Sequence, residues 1–106
     1  MKGKEFVKLC FEEKESLLKE YFSNNTCSDV GEKIKGVVKN GTDKEELYKL
    51  IESVLNDTFY SILLAIDGEA SLGGIQKEYK IYDAEGNLLN ECGEIETAAY
   101  EYFMEE

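Results

Sequence analysis

A chain of 106 residues with 42% hydrophobic content and twelve aromatics is long enough for one domain with a single continuous core. Its formal charge is −11 and all twelve of its basic residues are Lys, a balance that argues against nucleic acid and anionic membrane as partners, because both would be repelled. There is no histidine, and Cys10, Cys27 and Cys92 are scattered without a CxxC pair, which argues against the usual structural zinc sites and removes the ordinary base of a Ser or Cys triad.

The charge is unevenly placed. Residues 1–43 carry eight Lys against eight acids, whereas residues 67–106 carry Lys77 and Lys80 against eleven acids, a net −9. A basic partner is attracted by such a field, and solubility alone is the plainer use of it. The longest apolar run, Phe59–Ile66, has eight residues, far short of the ~20 that span a bilayer. Met1–Glu5 is basic, but no signal-type apolar region follows. A cytoplasmic protein with reduced thiols is expected.

The spacing predicts an amphipathic helix over residues 4–22, with Phe6, Val7, Cys10, Phe11, Leu17, Leu18, Tyr21 and Phe22 on one broad face. Leu9 falls outside that face. Lys14 falls inside it, where its stem can pack while the ammonium reaches water. A second helix is predicted over 29–39, with Ser28 as N-cap and Val30, Ile34, Val37 and Val38 as its apolar side. Thr42-Asp43-Lys44-Glu45 has the form of a capping box, opening a helical stretch to Ile66. As one helix it would be about 36 Å long, against a radius of gyration of ~13 Å for a domain of this size. Asn56-Asp57-Thr58 is therefore a candidate kink or second N-cap. Leu47, Leu50, Ile51, Val54 and Leu55 make a one-sided stripe before it, and a central buried helix is expected near 58–66, apolar all round.

After Gly73-Gly74 the alternation of Ile75, Tyr79 and Ile81 predicts a half-exposed strand. Asp83–Asn87 supplies a turn, and Leu88–Glu91 would pair back as a β-hairpin packed on the helices. Ile95, Ala98, Ala99, Tyr102 and Phe103 then mark a last helix. Glu105 and Glu106 oppose the dipole at its end. The expected fold class is α+β: a single domain, residues 1–106, of about four helices and one C-terminal hairpin.

Asp67 and Glu69 follow the apolar helix abruptly, at its negative end, where acids are disfavoured by roughly 0.3–1 kcal/mol each. Either they stop the helix as solvated turn residues, or they mark a site for a cation or a partner's basic side chain. A small hydrolase or cation-binding protein using Asp67 and Glu69 is one alternative function, and a homo-oligomerising structural module another. Asp83-x-Glu85-Gly86-Asn87 lacks EF-hand spacing, and Gly73-Gly74 has no Lys-Ser/Thr after it, so no calcium or phosphate loop is expected. No cofactor, metal ligand or catalytic residue is assigned.

The stronger lead is a C-terminal acidic face. Asp67, Glu69, Glu78, Asp83, Glu85, Glu91, Glu94, Glu96 and Glu101, with Tyr82 and Tyr100 exposed among them, combine a steering field with aromatic anchors. The order of apolar helix, AIDGEASLGG, YKIYDAEGNLL and GEIETAAYEYF over residues 59–103 resembles the C-terminal half of small acidic bacterial immunity proteins. That resemblance implies a non-catalytic protein whose acidic surface binds a basic protein partner such as a toxin. A DNA mimic is a related form. No nucleic-acid or membrane partner is expected, and a homodimer is compatible with the apolar side chains.

Overall fold

Each helix begins where a side chain can replace the missing backbone acceptor. Ser28 Oγ accepts from Gly31 N–H at 2.9 Å, and Asp43 Oδ2 accepts from Glu46 N–H at 3.1 Å. In the computed structural model, which describes residues 1–104, these caps open α2 (Asp29–Lys39) and α3 (Lys44–Ile66). They are flanked by α1 (Gly3–Tyr21) and α4 (Glu94–Phe103), the latter preceded by a short 3-10 turn at Glu91–Gly93. The expected cap at Thr42 is thus displaced by one residue. Asp43 stands three before Glu46 just as Thr42 stands three before Glu45, and a carboxylate gains more from the positive helix end than a hydroxyl does.

Asn56-Asp57-Thr58 does not break α3, which runs as one helix to a Schellman ending. Gly68, at φ 79°, lets its own N–H reach Ala65 O and the Glu69 N–H reach Leu64 O at 3.0 Å. The length that argued for a kink is accommodated by an elongated molecule. Its extents are 47 × 29 × 26 Å and its radius of gyration is 16.2 Å, against the ~13 Å of a compact domain of this size.

The core cluster lies where α1, α3 and α4 meet. Val7 of α1, Leu63 of α3 and Ile95, Ala98, Ala99 and Phe103 of α4 form one buried cluster. Ala98 and Ala99 let α4 approach its neighbours closely, and Phe103 stacks on Phe59 at 5.9 Å and meets Phe11 edge-on at 5.5 Å. With only ten residues, α4 covers the C-terminal half of α3 and no more. On the other half Leu50 and Val54 stay exposed, while Tyr48 meets Phe22, just after α1, at 5.0 Å. The expected central helix, apolar and buried all round, is therefore only partly one: Leu63 and Ala65 are buried but Ile62 is exposed. Lys14 also differs from expectation. Its ammonium does not reach water but is buried 4.5 Å above the Phe11 ring, with Glu15 Oε1 at 3.2 Å.

The α+β class and its hairpin are not what forms. Among the described residues there is no β-strand, and the fold is helical. The segment between α3 and α4 is an irregular arm whose only ladder-like contacts are the isolated bridges Leu72↔Ile75 and Tyr82↔Leu88. Two features explain the loss. Residues 71–80 all lie on the exposed side of the molecule, Ile75 at 66%, so the alternation of Ile75 and Tyr79 has no core surface to pack on. Nearer the core, the strand's hydrogen bonds are taken by other partners: Tyr79 N–H donates to Ile66 O at 3.2 Å, and Ile81 N–H donates to the side chain of Asn90 at 3.0 Å. Glu105 and Glu106, expected to oppose the dipole of α4, lie outside the described residues.

Candidate functional site

The arm and α4 bring some of the predicted acidic residues together and separate others. Asp67 ends α3 and faces the start of α4, whose N-cap position is Gly93 and offers no side-chain cap. Asp67 Oδ2 supplies it instead, accepting from Glu96 N–H at 2.7 Å. The carboxylate that is unfavourable at the negative end of α3 is thereby favourable at the positive end of α4. Its place in the sequence thus has a structural reason, which the α3 dipole alone does not reveal.

Glu69 and Glu96 stand beside it. Partial burial pushes the Glu96 carboxyl above its ordinary range, and the negative charges of Glu69 and Asp67 push it further. A second oxygen of Asp67, Oδ1, is buried without a hydrogen-bond partner. Among the described residues no group of three acids or thiols converges closely enough to hold a metal ion. What the arrangement offers is a close group of three carboxylates where α3 ends and α4 begins, with Glu69 also placed to share a hydrogen bond with a protonated Glu96.

A raised carboxyl pKa in the folded state means that the native protein binds the proton more tightly than the unfolded chain does. Its contribution to stability is therefore adverse at neutral pH, and is relieved as pH falls into the range where Glu96 protonates. Glu96→Gln is expected to raise the unfolding free energy at pH 7. It should also remove the part of the pH dependence that has this sign, as read by chemical unfolding of both proteins at pH 7 and about pH 4. Equal stabilities at pH 7 would contradict the repulsion.

The remaining predicted residues divide by exposure. Tyr82, Tyr100, Glu78, Glu85, Glu91 and Glu101 are exposed, and Glu94 is half-buried with Oε1 accepting from Lys4 N–H at 3.3 Å. Glu101 also lies 3.8 Å from the Lys4 ammonium. Asp83 is not part of a free acidic surface. Its Oδ1 accepts from the Asn87 and Glu85 N–H groups at 2.9 and 3.0 Å. Its Oδ2 accepts from Asn87 Nδ2 at 2.9 Å and lies 3.2 Å from the Met1 ammonium. These donors, Asn87 first, hold its carboxyl well below the usual carboxylate range. It is a turn anchor tied to the chain's first residue.

Among the described residues the ion pairs of the C-terminal segment involve only Asp83 and Glu101. Asp67, Glu69, Glu78, Glu85, Glu91 and Glu96 form none there. The sequence reading missed Asn90, whose buried side chain ties the arm to α3, and no signal in an isolated Asn predicts that. Comparison of the chain with protein-family models, curated proteins and solved structures yields no match. No described helix is long and apolar enough to cross a membrane.

Proposed function

We propose that this chain is a non-catalytic binding protein that recognises a basic protein partner through the acidic end formed by Asp67, Glu69 and Glu96, with the exposed Tyr100 and Glu101 on the adjoining face of α4. The observation that supports this most directly is the unneutralised carboxylate knot. Three acids are held where Glu96 is pushed toward protonation by its neighbours, and a partner's Lys or Arg would relieve that repulsion on contact. A net charge of −11 would speed the encounter. An immunity protein that neutralises a cationic toxin is the concrete form, in keeping with the resemblance over residues 59–103. The hairpin part of that resemblance does not form, residues 75–91 holding only the isolated bridge Tyr82↔Leu88.

The test is affinity capture of a partner on the immobilised protein, with its composition identified and its dissociation measured against salt. A basic partner bound at about 0.05 M salt should dissociate by about 0.5 M, where screening acts over only a few ångströms. The double variant Glu69→Lys/Glu96→Lys should weaken it at least tenfold, because like charges then meet. Binding indifferent both to salt and to this variant would refute the reading.

A further inference from the structure

On the side of α1 and α3 that α4 leaves open, two adjoining hollows of about 450 and 230 Å³ share Phe6, Cys10 and Phe59 as their floor. Their edges are unusually apolar for a protein surface: Leu9 is 47% exposed and Ile62 45%. From Ile62 the apolar surface continues along α3 in steps of four residues, through Thr58 to Val54, 51% exposed, and Leu50, 59% exposed. Between Leu47 and Ile62 it extends about 22 Å along the helix. That is four turns of α-helix, an extent suited to another helix and too long for a compact small molecule.

Acids predominate among the charges around this face. Leu9 has Glu5, Glu12 and Glu13 as its helical neighbours at i−4, i+3 and i+4, and Glu13 lines the larger hollow itself. On α3, Glu46 precedes Leu50 by four residues and Asp57 follows Val54 by three. Most nearby cations are occupied or remote: Lys4 lies by Glu101 on the side of α4, Lys49 by Glu45, and the Met1 ammonium by Asp83, while Lys44 is at the far end beside Phe22; the exposed Lys2, one turn before Phe6, is the exception against three acids on α1. A second copy of this chain would bring acid rim against acid rim in a two-fold contact. A helix with an apolar stripe flanked by Lys or Arg fits both the groove and the rim.

We propose that the α1/α3 face binds a basic amphipathic helix of a protein partner, its apolar residues seated over Phe6, Cys10 and Phe59 and its cations against Glu5, Glu12, Glu13 and Asp57. This surface is separate from the Asp67–Glu96 end and stands or falls independently of it.

Cys10, half-buried in the floor of the hollows, is a built-in reporter, and the exposed Cys27 and Cys92 are internal references. The probe is an 18-residue Leu/Lys peptide with Leu at helical spacing, compared with an isomer of the same composition whose order gives no apolar face. The rate of alkylation by iodoacetamide is followed at each cysteine by mass mapping, at alkaline pH where thiols ionise. The helical peptide should slow Cys10 at least fivefold and leave Cys27 and Cys92 unchanged. Ile62→Lys and, separately, Leu9→Lys should abolish that protection, both being exposed positions. Glu69→Lys/Glu96→Lys should leave it intact, which separates this surface from the acidic end. Equal protection by the isomer, protection of Cys92 in place of Cys10, or no protection would overturn the proposal. So would protection of Cys10 that grows with protein concentration alone, since a second copy would then cover the face.

Discussion

Phe103→Ala is expected to lower the unfolding free energy by about 3–5 kcal/mol, the range for removing a buried aromatic ring. A domain of this size has about 5–15 kcal/mol in all, so the change takes a large share. The reason lies in how α4 is held. Ten residues are too few for a helix to be stable alone, so its structure comes from tertiary packing. Phe103 is the one side chain of α4 that reaches aromatic partners on both α1 and α3, Phe11 and Phe59. Removing it leaves a cavity where three helices meet and loosens the α4 start that Asp67 caps. Phe103→Leu preserves most of the apolar volume and is expected to cost less than half as much. Guanidinium unfolding of the three proteins measures both. A loss below about 1 kcal/mol for the Ala variant would mean that α4 is not packed as described.

The helical part of this fold was legible because its information is local. The stripe Ile95, Ala98, Ala99, Tyr102, Phe103 marks both α4 and its buried side, and all but Tyr102 of those residues are buried. Ser28 caps α2 as its place in the sequence suggests. Leu9, the residue that fitted no face of α1, is exposed beside the open groove. What failed was long-range. Alternation at Ile75, Tyr79 and Ile81 signals a strand only where a partner takes the ladder hydrogen bonds, and here α3 and Asn90 take them. Burial of the Lys14 ammonium depends on where Phe11 and Glu15 are placed around it, beyond what helical spacing reveals. The cap that Asp67 gives to α4 joins residues 29 positions apart. The α3 dipole alone made Asp67 look unsettled, and the second helix reverses that judgement. Charge was the reverse case: composition located the acids, but only packing shows that Asp83 is engaged in its turn while Glu69 and Glu96 face each other's repulsion.

Asn90→Leu is expected to cost about 3 kcal/mol, and to release the arm before it disturbs the helices. Asn90 is buried, and its side chain accepts from Ile81 N–H at 3.0 Å while Nδ2 donates to Tyr79 O and, at 3.4 Å, to Ile66 O. Leucine matches the volume but pairs none of these groups. A half-buried Ile81 N–H and the end of α3 then lose partners, each worth about 1–3 kcal/mol when left unsatisfied. Asn90→Asp should fall between the two, since it can still accept from Ile81 but sets a carboxylate against two carbonyls. Ile81 packs at the core's edge and Leu89 is buried, with Leu89 N–H donating to Ile81 O at 2.8 Å, so both loosen together. Hydrogen exchange resolves the order. Amides of Tyr79, Ile81 and Leu89 should lose protection in Asn90→Leu while those of Val7, Leu63 and Ala99 keep it. Uniform loss across arm and core would mean that the arm is not a separate unit. The same result bears on binding. Tyr82 and Glu85 hang on the arm, whereas Asp67, Glu69 and Glu96 sit on α3, its ending and α4. A partner engaging the acidic end should keep its affinity in Asn90→Leu, and one that relies on Tyr82 should lose it.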